Sequence, residues 1–193
     1  MTRTASTMLP LGTTAPAFAL PDVTTGHVTT LETFADTSAL LVMFICRHCP
    51  YVQHVQSELA RIGRDYGSRG VGIVAISSND ATAHPEDAPA SLKAMAEELG
   101  FTFPVCYDET QAVATAYAAA CTPDFFLFDG TRTLAYRGQL DASRPGGDAP
   151  TGGDIRAALD AVLGGQEVSP DQTPSLGCNI KWKWGNSPDY FTG

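Results

Sequence analysis

Two cysteines three residues apart, Cys46 and Cys49 in the stretch MFICRHCPYVQH (43–54), are the residues best placed to do chemistry. Side chains at that spacing in a first helical turn stand side by side, roughly 5–6 Å between Cβ atoms. That is close enough for a disulfide to form after modest adjustment. A thiol at a helix N-terminus also faces unpaired N–H groups and the positive end of the helix dipole, which lower its pKa and make it reactive. Arg47 and His48, between the cysteines, add positive potential in a chain of formal net charge −9 and are candidate pKa-tuning residues. His54, just beyond Pro50, is a further source of it.

Three readings compete: a redox couple, two ligands of a metal, or small buried hydrophobes. Zinc usually takes four ligands, and neither a second CxxC nor an HxxxH occurs, so no metal site is assigned. Cys178 with a histidine is the remaining way to complete one. Pro50 bears on the geometry, because proline favours the first helical position and pushes its predecessor out of the α region. That makes Cys49 a helix cap with Cys46 ahead of the helix. The alternative starts the helix at Cys46. Which thiol has the lower pKa stays open. The redox readings require sulfurs that are neighbours, reachable from solvent and favoured as anions.

The elements around the pair follow from hydrophobic pattern. SALLVMFI (38–45) and VGIVAISS (71–78) are continuous apolar runs, the signature of strands buried on both faces. Val52, Val55, Leu59, Ile62 and Tyr66 recur at helical spacing after the cysteines. NDATAHPEDAPA (79–90) reads as a polar loop, followed by a helix over 91–99 that stops at Gly100. FPVCYD (103–108) reads as a strand, ETQAVATAYAAA (109–120) as a helix, and DFFLFD (124–129) as a strand turning through Asp129-Gly130 into TLAYRG. A last helix spans 155–165. The order β-α-β-α-β-α-β-β-α predicts an α/β layer architecture with a largely parallel centre. Residues 1–17 read as an irregular N-terminal arm and 18–34 as containing a small hairpin. The domain runs over 18–165, and 166–193 is an ordered C-terminal tail packed on it.

Composition narrows the function. The chain has 193 residues with 44% hydrophobic and 17% charged, enough for one domain with a substantial core. Its acidic balance argues against nucleic-acid partners. No stretch approaches the roughly 20 apolar residues of a spanning helix, and the N-terminus lacks the apolar core of a secretory signal. The expectation is a cytoplasmic protein without a membrane partner. Five cysteines are too few for a disulfide scaffold, and in a reducing compartment a close pair is catalytic or metal-binding more often than structural.

VMFICRHCPYV after a buried strand, CTPDFFLFD about 75 residues later, and the tail PSLGCNIKWKWGN together resemble the thioredoxin-like, peroxiredoxin-like redoxins near the alkyl hydroperoxide reductase and thiol-specific antioxidant group. The resemblance runs from about Pro16 to Trp184. It implies a thioredoxin fold, a central mixed sheet flanked by helices, with CxxC at the start of the helix after the central strand. It implies that Pro123 is a cis-proline facing the cysteines, and that Thr122 and Pro123 form a substrate platform. It also makes Cys178 a candidate resolving thiol. Cys106 is read as buried packing, and Cys121 lies beside the expected site.

The sequence departs from both parent groups. Peroxiredoxins carry a Thr three residues before the peroxidatic cysteine and a Pro four before that Thr. With Cys49 in the peroxidatic place, Cys46 and Val42 stand there instead. The peroxide-holding arginine has no counterpart, since Arg132 and Arg137 fall on a turn and a late strand. Thioredoxin's Trp before the first cysteine and its Gly-Pro spacer are missing too. His48 occupies the spacer position where strongly oxidising disulfide oxidoreductases use a histidine to stabilise the thiolate. The resemblance therefore implies a thiol–disulfide oxidoreductase, with Cys46 attacking and Cys49 resolving by analogy with thioredoxin. The alternatives are a thiol peroxidase with Cys49 peroxidatic, and a metal-binding or redox-sensing module. The substrates would be a disulfide-bearing protein or a small thiol or peroxide. No cofactor is expected, but an external thiol reductant is.

Overall fold

The continuous apolar runs sit where two layers of side chains meet a sheet. The computed structural model describes residues 3–191; the first two residues of the N-terminal arm and the last two of the tail lie outside the described residues. In chain order the strands are β1 (Arg3–Ala5), β2 (Ala19–Pro21), β3 (Val28–Thr30), β4 (Ala39–Phe44), β5 (Val71–Ser77), β6 (Val105–Tyr107), β7 (Cys121–Thr122), β8 (Asp124–Asp129), β9 (Leu134–Gly138) and β10 (Leu176–Asn179). The helices are α1 (Pro50–Gly67), α2 (Pro89–Leu99), α3 (Ala112–Ala116) and α4 (Gly153–Leu163).

The main sheet has the order β6-β5-β4-β8-β9. β4 pairs in parallel with β5 and β5 with β6, whereas β8 is antiparallel to both β4 and β9. Every residue of β4 is buried, because both faces of the sheet are covered. Leu41 and Met43 face one core with Val52, Leu59 and Ile62 of α1, Leu92 of α2 and Leu159 of α4. Leu40, Val42 and Phe44 face the other, with Val113 of α3 and Phe18, Leu20 and Phe34 from the hairpin region. The apolar face read at helical spacing on α1 is the face that is buried. Gly100 ends α2 in the left-handed conformation, φ 63°, that a side chain would resist.

Two expectations need correction. The helix expected over 109–120 is confined to Ala112–Ala116. Gln111 (φ 64°) and Ala118 (φ 48°) adopt left-handed conformations at its ends, and the Gln111 amide is drawn off to the carbonyls of Ser78 (2.7 Å) and Lys181 (2.9 Å). The arm expected to be irregular contributes β1, which is antiparallel to β10 with Arg3 opposite Cys178. Three residues with no apolar alternation become a strand because a neighbouring strand edge offers hydrogen bonds. β10, in turn, pairs on its other side with β7, making a second sheet of order β1-β10-β7.

Candidate active site

Strand β4 ends at Phe44, and the chain turns through Cys46-Arg47-His48-Cys49 into α1. Cys49 is the N-cap, in extended conformation, and Pro50 stands at the start of the helix. Of the two helix starts that the sequence left open, this places Cys46 ahead of the helix. The turn between the cysteines is held from below by Asp87, in the short 3-10 turn Pro85–Asp87. The Asp87 carboxylate accepts from the backbone N–H groups of Arg47 (2.8 Å) and His48 (3.2 Å) and from Asn79 Nδ2 (2.7 Å), and it lies 2.5 Å from His48 Nδ1. Burial pushes this carboxyl up, but the hydrogen bonds from His48 and Asn79 outweigh it and hold it below its ordinary value. The same contact with Asp87 raises the pKa of His48.

All five cysteines are buried, and none is in a disulfide. Three of them meet. Cys46 Sγ lies 3.3 Å from Thr122 Oγ1, and the Cys49 thiol donates to the Thr122 carbonyl at 3.1 Å. As a thiolate, Cys49 accepts from the Cys46 thiol, which lowers its pKa most. The Cys178 thiol and the N–H groups of Val52 and Cys178 add to this, and together they overcome burial and bring Cys49 down to about 5. Cys46 is held protonated by that same hydrogen bond to Cys49, by burial and by the negative charge of Asp87. Cys178 is pushed up to about 12 by burial and by donating to Cys49. The charge therefore rests on Cys49, at the helix N-terminus. By this distribution Cys49 is the thiol favoured as an anion, whereas the analogy with thioredoxin places the attacking thiolate on Cys46.

The sulfurs are neighbours, and one is favoured as an anion. The expectation that solvent reaches them is corrected: Cys46 and Cys49 are 1% and 0% exposed. Thr122 and Cys178 lie against them, brought there by β7 and β10. The Thr122–Pro123 bond is cis, as the resemblance implied. Thr122 touches both sulfurs of the pair. Arg47 does not turn back to them: its guanidinium donates to the Ser91 carbonyl (2.6 Å) and pairs with Glu98 (3.0 Å) on α2. His54 Nε2 lies 3.1 Å from Ser143 Oγ. Cys106 and Cys121 are pushed up by burial. Arg132 is held by the carbonyls of Thr37 and Asp129, both at 3.2 Å, and Arg137 is buried beside Asp124.

Among the described residues, two groups of side chains offer ligand atoms within 4.8 Å of one another, Cys46 with His48 and Asp87, and His48 with His84 and Glu86. They share His48, whose Nδ1 is already engaged by Asp87. Cys178, the residue suggested for completing a metal site, sits instead with Cys49.

Asp87, Asn79 and Gln111 were missed by sequence reasoning. They lie in segments read as a polar loop or a helix, and only their burial distinguishes them. The one available signal was position: the loop after β5 leaves the same end of the parallel strands as the CxxC turn, where sites in open α/β sheets collect.

The geometry agrees with what known proteins display. The family model described as the AhpC/TSA family matches residues 11–137, more than half of the chain. The chain belongs to the AhpC/TSA family. Among curated relatives, this AhpC/TSA chain is 30% identical to the thiol-disulfide oxidoreductase ResA of Geobacillus kaustophilus over 128 residues, 65% of this chain and 67% of that protein. A crystal structure of an uncharacterized conserved protein from Geobacillus kaustophilus matches at 56% identity and a TM-score of 0.92, covering 95% of this chain and 97% of that one. The thioredoxin domain of a thiol-disulfide oxidoreductase from Bacteroides vulgatus superposes with a TM-score of 0.57 at 20% identity, over 67% of this chain and 88% of that one. The AhpC/TSA chain is thus a thioredoxin-like redoxin with the thioredoxin fold. Among the described residues, no helix is long and apolar enough to cross a membrane.

Proposed function

We propose that the protein is a thiol–disulfide oxidoreductase working through Cys46 and Cys49. The observation that carries this reading is the placing of both sulfurs, at the start of α1, against one residue: Cys49 caps the helix, and Cys46 and Cys49 lie 3.3 Å and 3.1 Å from the hydroxyl and carbonyl of Thr122. Because both sulfurs are buried, the reaction begins with a local opening over them; the Cys49 thiolate then attacks one sulfur of a substrate disulfide, forming a mixed disulfide and releasing one substrate thiolate. Cys46 then loses its proton, attacks Cys49 Sγ and releases the second substrate thiolate. The pair is left oxidised and the substrate reduced by two electrons. An external thiol reductant resets the pair, and no cofactor takes part. His48 tunes the pair through Asp87, which carries negative charge beside Cys46, while Thr122 holds both sulfurs and, with Pro123, forms the substrate platform. Cys178 is a second candidate for resolving the mixed disulfide at Cys49. The name of the ResA relative is consistent with this reading, as is a cytoplasmic site of action under a reducing thiol pool.

Reaction of the reduced protein with 2-hydroxyethyl disulfide, followed by peptide mass spectrometry, tests the reading. The expected product carries a Cys46–Cys49 disulfide. Cys49→Ser should abolish reaction, and Cys46→Ser should stop at the mixed disulfide or divert to Cys178. A Cys49→Ser variant with full exchange activity would refute the assignment.

The anionic Cys49 also supports a second reading, a thiol peroxidase. There the thiolate attacks a peroxide oxygen, giving a sulfenic acid and releasing water or alcohol after protonation. Condensation with Cys46 or Cys178 then gives a disulfide and a second water. Stopped-flow peroxide consumption separates the two: a rate no faster than that of a free low-pKa thiol excludes the peroxidase.

A further inference from the structure

The protein closes its own site with a strand. β7 is two residues long, directly precedes Pro123, and carries the Thr122 contacts to both sulfurs. Its strand partner is β10, with Cys178 opposite Thr122 and Asn179 opposite Cys121. The approach is so close that a Cβ on Gly177 would collide with the Thr122 carbonyl and come within 3.1 Å of the Pro123 nitrogen. Glycine is required there by contact rather than by backbone angle. β10 is also the middle strand of its sheet, paired with β1 on the far side. Beyond it the tail is pinned by hydrogen bonds from Ile180 N to Ala120 O (3.1 Å), from Lys181 N to Asn79 Oδ1 (2.8 Å) and from Asp80 N to Lys181 O (2.9 Å). Before it, Gln139 N donates to Thr173 O (2.8 Å) and Ser175 Oγ to Gly138 O (2.7 Å).

An extended polypeptide docks on a protein by adding a strand to an exposed sheet edge, where main-chain hydrogen bonds hold it, and the edge nearest this thiol pair is the one a disulfide-bearing chain would use. Here that edge is β7, and β10 occupies it. Vacating it would break pairing on both sides of β10 and the ties that flank it. A small disulfide needs far less. Beside the ledge, a cavity of about 20 Å³, the size of one water, is lined by Tyr51, His54, Pro123, Ser143 and Leu176 among others. None of its lining residues is a cysteine, so a small disulfide still needs a local opening over the thiols, but it needs no strand edge to be vacated.

We propose that β10 is a self-docked strand that reserves the thiol pair for low-molecular-weight disulfides and excludes disulfides borne on polypeptides. This rests on the thiol–disulfide reading above, and the exchange step is the one given there, with both released thiolates belonging to the small disulfide.

The test compares the full chain's rate constants for 2-hydroxyethyl disulfide and for insulin, each divided by that disulfide's rate with dithiothreitol. The normalised rate for insulin should be lower by about 100-fold or more, equivalent to about 2.8 kcal/mol, the scale of two or three net hydrogen bonds. Parity between the two substrates overturns the inference and leaves the thiol–disulfide reading standing. Exchange with neither overturns that reading and the inference with it. In Gly177→Ala the added methyl group lifts β10, so amides 176–179 should lose protection from hydrogen exchange and the insulin rate relative to the 2-hydroxyethyl disulfide rate should gain about tenfold, equivalent to about 1.4 kcal/mol. Lost protection with an unchanged ratio of the two rates would also overturn the inference. If that variant does not fold, the wild-type ratio decides alone.

Discussion

At Cys49, four donors outweigh burial: the thiols of Cys46 and Cys178 and the N–H groups of Val52 and Cys178. A buried thiol without them would be pushed upward, as Cys106 is, to about 12. The difference is positional, since Cys49 caps a helix and Cys106 lies inside a strand. Reactivity should follow. Alkylation of the reduced protein by iodoacetamide, read as the rate at Cys49 by peptide mapping, should have its midpoint at about pH 5. A midpoint near the ordinary thiol value of about 8.5 would refute the charge assignment. The stability consequence has a definite sign. A folded value below the unfolded one stabilises the fold at high pH, and that contribution is lost as pH falls from the ordinary thiol value through about 5. His48 works the other way: its value is raised, so its contribution is full below 6.5 and fades as pH rises above that.

At the scale of elements, legibility in the sequence followed how far each element depends on its own pattern. β4, β5 and α1 carry long apolar runs or a repeating buried face, and they form where pattern places them. The CxxC turn was legible for the same reason: it joins two such elements, and Pro50 fixes the helix start. α3 ended early because Gln111 and Ala118 answer to tertiary partners rather than to alanine's helix propensity. β1, β7 and β10 are too short to show a period, and each exists by pairing with another. Asp87 was invisible for a related reason, because a buried carboxylate and a solvated one look alike in a polar segment. The elements that pattern does specify should dominate stability. Leu59, fully buried on α1 in the core beneath the thiols, tests this. Leu59→Ala should cost about 2–5 kcal/mol in denaturant unfolding, while the alkylation midpoint of Cys49 stays in place. A midpoint that moved toward that of a free thiol would mean that α1 packing, and not the local donors, sets the charge.

For the molecule as a whole, the second sheet draws N-terminal arm, ledge and tail together, and the main sheet must hold a polar pair to accommodate them. Arg137 on β9 and Asp124 on β8, the residue directly after the cis-proline, are both fully buried and 3.6 Å apart. Arg137 also reaches Thr7 in the arm and the Ala118 carbonyl, both at 2.7 Å, and lies over the Phe126 ring at 4.7 Å. Burial outweighs their mutual attraction for both partners: Asp124 is pushed up to about 6, and Arg137 is lowered. A buried pair of this kind contributes little net stability when whole and costs a great deal when broken. Arg137→Leu should therefore lose about 3–5 kcal/mol near neutral pH, because it strands an unpaired carboxylate. The sign of the pH dependence separates this from a simple packing defect. A carboxyl whose folded value lies above its unfolded one favours the native state only while protonated, so stability falls as pH rises through the folded value. Without Arg137 that value rises further. The variant should then regain stability when unfolding is measured at pH 5 instead of pH 7, and Asp124→Asn added to it should recover much of the loss at pH 7. A deficit that is the same at both pH values, and untouched by the second substitution, would show that Arg137 matters for its volume and its stacking on Phe126 rather than for its charge.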